Sequence, residues 1–400
     1  MFPDSLVKPA SSKLLLCVLD GLGDIPGPSN QRTPLEAARS PHLDQLASEG
    51  TSGLFHPVAA GVTPGSGPGH LALFGYDPIT YQVGRGVLSA LGAGFDLQAG
   101  DLAARLNFCT LDKSNCITDR RAGRIPTERN RALIERLRKG VNPPPRIQIF
   151  WETESEHRGV LVVRGPDLVA SLFDTDPQQV GVPPFSVRPA QDDAQSTALI
   201  LDGIVNQALS ILKDEPDANG ILLRGIAALP GWSGFSDRYR LRSYALTKYP
   251  MYRGVAQLVG MTTGNAYDQL HETPARLREV WKDFDYFFLH FKDPDKAGED
   301  GDFDRKVEAI EEFDSVLPEL LGLKPDVIVI TGDHSTPVPM KQHSWHPVPV
   351  LLHAADTVRT DSISTFGERA AAGGGLGQQR MCDLMSLMLA HGGRLQKFGA

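Results

Sequence analysis

The chain has 400 residues, of which 41% are hydrophobic and 22% charged, and a formal net charge of −8. This length accommodates two or three domains, and this composition buries a core without disulfide staples. The acidic balance argues against a nucleic-acid surface but still allows an anionic substrate, because a local cluster of arginines or metals overrides net charge.

In chain order, the N-terminal MFPDSLVKPASSK lacks the charged and apolar regions of a signal peptide. Residues 14–19 (LLLCVL) form an apolar run closed by Asp20-Gly21, the pattern of a strand buried on both faces; Cys17 inside it reads as a packing residue. Residues 63–78, TPGSGPGHLALFGYDP, place Ser66 in a glycine-rich turn ahead of an apolar helical run. The segment 105–190 is different, with the β-like runs IQIFWET and GVLVVRG and a proline cluster at Pro143, Pro144 and Pro145. It predicts an inserted α+β cap domain over 101–199 within a core made of 1–100 and 200–400. Strand patterns return at 285–290 (DYFFLH), 326–331 (DVIVIT) and 348–352 (VPVLL), and Val307, Ile310, Phe313 and Val316 recur at helix spacing within 302–322. Gly373, Gly374 and Gly375 read as a loop without a phosphate-binding role. Strands alternating with helices predict an α/β core with a largely parallel sheet flanked by helices. Ligands of such sheets bind beyond the carboxyl ends of the strands, where Asp20, His290 and the Asp333-His334 pair are expected to gather.

No apolar stretch reaches the roughly 18 residues that span a bilayer. The four cysteines, Cys17, Cys109, Cys116 and Cys382, include no C-x-x-C pair, so neither a cysteine zinc site nor a disulfide framework is expected. The expected location is the cytoplasm, with no membrane or nucleic-acid partner.

Three groups of residues can carry chemistry. The first is acidic and imidazole: Asp20 in LDGLGD, Asp295 in HFKDPDKAGEDGD, and Asp333, His334 and His343 in TGDHSTPVPMKQH. Hard divalent ions take carboxylate oxygens, and Mn²⁺ or Zn²⁺ also take imidazole. Any one of these aspartates reads equally as a helix cap or turn residue; together they read as a metal site. The second is Ser66, which is either an N-cap or, beside a helix N-terminus and a metal, a nucleophile. Position 64 is proline, which excludes G-x-S-x-G, and no Walker lysine follows. The third is basic: Arg120, Arg121 and Arg124 in TDRRAGRIPT, then His157-Arg158, Arg164, Arg224 and Lys248. Arginine grips carboxylate or phosphate through paired hydrogen bonds, and otherwise forms a solvated surface. Lys248 reads more readily as surface.

The motifs LDGLGD, TPLEAARSPHLDQLASEG, TPGSGPGHLALFGYDP, GRGVLSALGAGFDL, DRRAGRI, FDTDP, HFKDPDKAGEDGDFDRKVEAIEEFD, TGDHSTP, HSWHPVPVLL and KFGA run nearly end to end. In their order and spacing the chain resembles the cofactor-independent (2,3-bisphosphoglycerate-independent) phosphoglycerate mutases of the archaeal type, within the alkaline phosphatase superfamily. The resemblance implies an alkaline-phosphatase-like core with an inserted substrate-binding cap, and interconversion of 3-phosphoglycerate and 2-phosphoglycerate through a phosphoserine at Ser66. It implies two divalent ions, one held by Asp20, Ser66, Asp333 and His334, the other by Asp295, His343 and position 299. The family usually has histidine at this last position, and here it is Glu299. A carboxylate there either ligates and favours Mn²⁺ or Mg²⁺, with Zn²⁺ or Co²⁺ as alternatives, or does not ligate and leaves the second metal weak or absent. The serine motif departs too, since many relatives carry an acidic residue after the serine and this chain has Gly67. Asp119, Arg121, Arg124, His157, Arg158, Arg224 and Lys248 are the implied contacts to a small phosphorylated carboxylic acid. A phosphatase or phosphotransferase for another small metabolite, or a silent binding protein on the same fold, would share much of this pattern.

Overall fold

A computed structural model describes residues 4–27 and 31–399; the first three residues of the N-terminal motif and Ala400 of KFGA lie outside the described residues. The strands, in chain order, are β1 (Leu14–Leu19), β2 (Thr51–His56), β3 (Leu102–Leu111), β4 (Ile117–Asp119), β5 (Gln148–Ser155), β6 (Arg158–Arg164), β7 (Gly220–Ala228), β8 (Ser243–Thr247), β9 (Thr262–Thr263), β10 (Tyr286–Phe291), β11 (Val327–Thr331), β12 (Val348–His353) and β13 (Gly377–Arg380). The chain divides into two compact units, a larger one of Met1–Gln82 with Ser233–Ala400 and a smaller one of Val83–Trp232.

The larger unit is built on an eight-stranded sheet in the order β13-β2-β12-β11-β1-β10-β8-β9. Only β12 runs against its neighbours, so the sheet is largely parallel, as the alternation of strands and helices predicts. β1, β10 and β11 are buried at every position, which is why their sequences are unbroken apolar runs. β1 lies between β10 and β11, with Val18 level with both His290 and Thr331. Three parallel strands in register therefore end side by side, and the residues that follow each end meet at one sheet edge. His290 itself lies inside β10, one residue before its end.

One buried cation ties these strand ends together. The helix Phe303–Leu321 buries Ile310, Phe313 and Val316 as its periodicity predicts and leaves Val307 half-buried, but it also buries Lys306 completely. The Lys306 ammonium donates to the carbonyls of Gly21 (2.9 Å), Gly23 (3.3 Å) and Thr336 (2.9 Å) and to the Asp24 carboxylate (2.7 Å). Asp24 in turn accepts from the backbone of Ile25 and Val338. The turn after β1 and the loop after β11 are thus held on one ammonium.

The smaller unit is an antiparallel five-stranded sheet in which β3 pairs with β4, β6 and β7, and β5 pairs with β6. Leu102, Ala104, Leu106 and Phe108 of β3 alternate into a core with Leu161 of β6, Trp151 of β5, and Leu133, Leu137, Leu201 and Ile204 of the helices Thr127–Gly140 and Gln195–Leu212. The helix Arg85–Gly92 packs on β3 and β7, and β7 runs the length of β3. The smaller unit therefore begins before and ends after the expected segment 101–199. Among the described residues no helix is long and apolar enough to cross a membrane.

Replacing Lys306 by methionine leaves a buried carboxylate and three carbonyls without their cation. We expect a loss of about 3–5 kcal/mol, read as a fall in the urea midpoint; a loss below about 1 kcal/mol would contradict the pinning role.

Candidate metal centre

Asp20 follows β1 directly, Asp295 lies in the first turn of the helix Asp293–Asp300 after β10, and Asp333 and His334 follow β11. His343 comes from the loop beyond. Two overlapping sets result, Asp20/Asp333/His334 and Asp295/His334/His343, each with ligand atoms within 4.8 Å of one another. All but His343 are fully buried.

Convergence this close needs glycine. A Cβ on Gly21, whose φ is +63°, would stand 2.7 Å from Asp295 Oδ1 and 2.6 Å from Thr336 Oγ1. A Cβ on Gly69 would stand 2.5 Å from the Asp333 carbonyl oxygen. Gly69 belongs to the helix Ser66–Leu73, so its absent side chain lets that helix lie against the Asp333 loop. Ser66 is the first residue of this helix and Gly65 is its N-cap, with no side-chain capping bond. The N-cap alternative for Ser66 is thereby set aside. One turn on, His70 Nδ1 donates to the Ser66 carbonyl (2.8 Å) and stands 3.2 Å from Asp333 Oδ2.

The imidazoles are oriented by their second nitrogens. Thr336 Oγ1 is 2.5 Å from Asp295 Oδ1, where its single proton goes, so the hydroxyl accepts from His334 Nδ1 (3.0 Å). His334 Nε2 is left facing Asp20 Oδ1 (3.3 Å) and Asp333 Oδ2 (3.2 Å), where it holds either a proton or, in the neutral ring, a lone pair for a cation. His343 Nδ1 lies 3.0 Å from the Pro64 carbonyl, which can only accept, so its Nε2 lone pair faces Asp295 Oδ1 at 3.8 Å. This is the tautomer a metal ligand needs.

Asp20 Oδ1, Asp333 Oδ2 and His334 Nε2 are buried without a hydrogen-bond partner, a costly arrangement for polar atoms that only face one another. Burial works against charge on Asp20, yet Lys292, His290 and His334 hold its carboxyl well below the usual range. Burial likewise opposes a proton on His334, but Asp333 and Asp20 push it up to about 9. The cluster thus attracts positive charge, and its mixture of carboxylate oxygen and imidazole nitrogen suits a divalent cation. Glu299 stands beside the second set, 4.0 Å from His343 Nε2 and half exposed; burial and the nearby Asp295 raise its carboxyl.

The basic candidates are placed differently. Asp119 caps the turn that bears Arg121 and Arg124, accepting from the Arg121 and Gly123 backbone, and both arginines are exposed. Arg224 and Arg120 share Asp176. Lys248 is exposed and donates to the Asp268 carbonyl (2.6 Å). Arg105 of β3 sits directly opposite Arg224 of β7, and Asn107 opposite Arg158 of β6, on the sheet face away from the Thr127–Gly140 and Gln195–Leu212 helices. Burial, opposed by Glu154 and reinforced by Arg158, Arg85 and Arg224, pulls the Arg105 guanidinium down to about 10. Burial and then Arg158 pull His157 down to about 4, so it is neutral at pH 7. Crowded cations of this kind make a receptor for an anion.

Sequence reasoning passed over Arg85 and Arg105, whose meaning appears only in the sheet register. It also passed over His70, hidden in an apolar run but four residues from Ser66 and so on the same helix face, and over Lys292, Tyr252 and Thr336.

The family model described as 2,3-bisphosphoglycerate-independent phosphoglycerate mutase matches residues 47–217. A probable 2,3-bisphosphoglycerate-independent phosphoglycerate mutase of Thermus thermophilus is 47% identical, with all of both chains covered. One of Deinococcus radiodurans is 45% identical over 99% of this chain and 98% of its own. Among solved structures, a Pyrococcus horikoshii protein superposes with a TM-score of 0.83 at 32% identity, covering 98% of this chain and 100% of the other. The cofactor-independent phosphoglycerate mutase of Thermoplasma acidophilum gives 0.75 at 30%, covering 95% and 99%.

The donor set predicts that Mn²⁺ stabilises the protein, by about 2.7 kcal/mol at a hundred times its Kd, which is several degrees in Tm. Asp333→Asn should remove that shift; an unchanged shift in the variant would place the ion elsewhere.

Proposed function

The chain belongs to the family of 2,3-bisphosphoglycerate-independent phosphoglycerate mutases, and from that premise we propose that it interconverts 3-phosphoglycerate and 2-phosphoglycerate through a phosphoserine at Ser66. The observation that carries this reading is the placement of Ser66 at the head of a helix that Gly69 seats against Asp333, beside a buried carboxylate-imidazole cluster. Within the family we assign the chain to the archaeal type; the likeness to the Pyrococcus and Thermoplasma structures supports this.

We assign two divalent ions, Mn²⁺ or Mg²⁺, to the cluster: Asp20, Ser66, Asp333 and His334 would hold one, and Asp295, His343 and Glu299 the other. Bound there, such ions lower the pKa of a hydroxyl and neutralise charge on phosphoryl oxygens. The Ser66 oxygen attacks phosphorus as the bond to the glycerate oxygen breaks, and the Ser66 proton ends on that oxygen, yielding phosphoserine and glycerate. The other hydroxyl of glycerate then takes the phosphoryl group as the bond to Ser66 breaks, and its proton returns to the Ser66 oxygen.

The larger unit carries this transfer, and the smaller unit acts as the inserted substrate-binding domain. Its arginine face, Arg85, Arg105, Arg158 and Arg224 with Arg121 and Arg124, is the proposed receptor for the substrate carboxylate, with Asp119 and His157 as positioning groups; Lys248 is a separate candidate for substrate contact in the larger unit. Four unpaired cysteines support a cytoplasmic location.

Purified protein with Mn²⁺ and no 2,3-bisphosphoglycerate should convert 3-phosphoglycerate to 2-phosphoglycerate and stop on EDTA addition. Ser66→Ala should lose both turnover and phosphoenzyme. Release of inorganic phosphate without 2-phosphoglycerate would overturn the mutase reading, and turnover by the alanine variant would remove Ser66 as nucleophile. Glu299→Ala should weaken binding of the second ion by about tenfold or more while Glu299→His retains it; indifference to both changes would show that Glu299 is not a ligand.

A further inference from the structure

Lys292 belongs to neither ligand set, yet it links them. It follows β10, and its Nζ lies 2.5 Å from Asp295 Oδ2 and 3.1 Å from Asp20 Oδ2. One ammonium therefore joins a carboxylate from each of the two overlapping sets. Its third partner is the Tyr252 hydroxyl, at 2.8 Å. Tyr252 is fully buried on the helix Pro250–Leu258, with its ring packed on His290 (centroids 3.9 Å apart) and His70 (4.5 Å). The Lys292 side chain is 15% exposed and both carboxylates are at 0%, so water contributes little to neutralising them.

A divalent ion on Asp20 or Asp295 draws on the same carboxylates and repels an ammonium a few ångströms away. Lys292 holds the Oδ2 atoms while the imidazoles face the Oδ1 atoms, so the two cations share each carboxylate's charge and each weakens its hold on the other. On the metal-site reading above, we propose that Lys292 is a resident cation that competes with divalent ions for Asp20 and Asp295 and so sets how tightly the site takes metal. In this role the lysine keeps buried carboxylates compensated and the strand ends assembled, and metal loading is an exchange of one cation for another. Tyr252 gives the displaced ammonium a partner that is not a carboxylate.

The exchange predicts a gain on removing the lysine, which a merely structural side chain would not give. Lys292→Met should bind Mn²⁺ about tenfold or more tightly than the unaltered protein in calorimetric titration, with a larger Mn²⁺-induced rise in Tm. Lys292→Arg, which keeps the charge, should bind as weakly as the unaltered protein. If the methionine variant is too unstable to titrate alone, the proposal requires Mn²⁺ to restore its Tm to that of the loaded unaltered protein. Unchanged or weaker affinity in Lys292→Met, or an unstable variant that Mn²⁺ does not rescue, overturns the proposal. Lack of Mn²⁺ uptake by the unaltered protein overturns the metal-site reading and this inference with it.

Discussion

A single buried ammonium underlies the geometry of the larger unit. Lys306 reaches from the helix Phe303–Leu321 into the space between the turn after β1 and the loop after β11, and takes three carbonyls and one carboxylate there. The Gly21 and Gly23 carbonyls also accept from the Thr336 N–H (3.3 and 3.1 Å), so the two loops are bonded directly. Lys306 adds a cation to that joint and reinforces the separation of the two loops that present Asp20 and Asp333-His334. The carboxylates of Asp20 and Asp333 repel one another, so the cluster depends on its surroundings for its shape. The energy comes from the surrounding packing and from this cation, and the strand register β10-β1-β11 supplies the alignment.

The same division between holding and reacting recurs at each imidazole. Thr336 and the Pro64 carbonyl occupy the Nδ1 atoms of His334 and His343, so the Nε2 atoms point inward. His70 repeats the device by giving its Nδ1 proton to the Ser66 carbonyl. The carboxylates have no such freedom of tautomer and depend on nearby cations. Lys292 and Lys306 therefore divide the work, one beside the ligands and one behind the backbone that carries them.

Much of this was legible in the sequence where the signal is local. Short apolar runs ended by Asp-Gly or Gly-Asp-His mark β1 and β11, and the acidic and imidazole candidates follow from the residue types at those ends. What was not legible depends on distant pairing. Lys306 falls on the buried face of a helix whose apolar periodicity marks Val307, because a period count gives no weight to a lysine that finds carbonyl partners from elsewhere. The extent of the smaller unit escaped because β3 and β7 are far apart in the chain, and turn chemistry between them says nothing of their pairing. Arg85 and Arg105 became candidates only when that pairing set them beside Arg158 and Arg224.

That arginine face bears on how the smaller unit folds as well as on what it binds. Side chains along β3 alternate strictly, with Leu102, Leu106 and Phe108 to the core and Arg105 to the opposite face, level with Arg224. A slip of one residue in the pairing of β3 would turn every side chain over and drive a guanidinium in among Leu133, Leu201 and Trp151. Misregistered sheets are thereby penalised by the same charges that are proposed to receive the substrate. The charged face is in effect a proofreading device for folding, and it discards wrong alignments before any ligand is present.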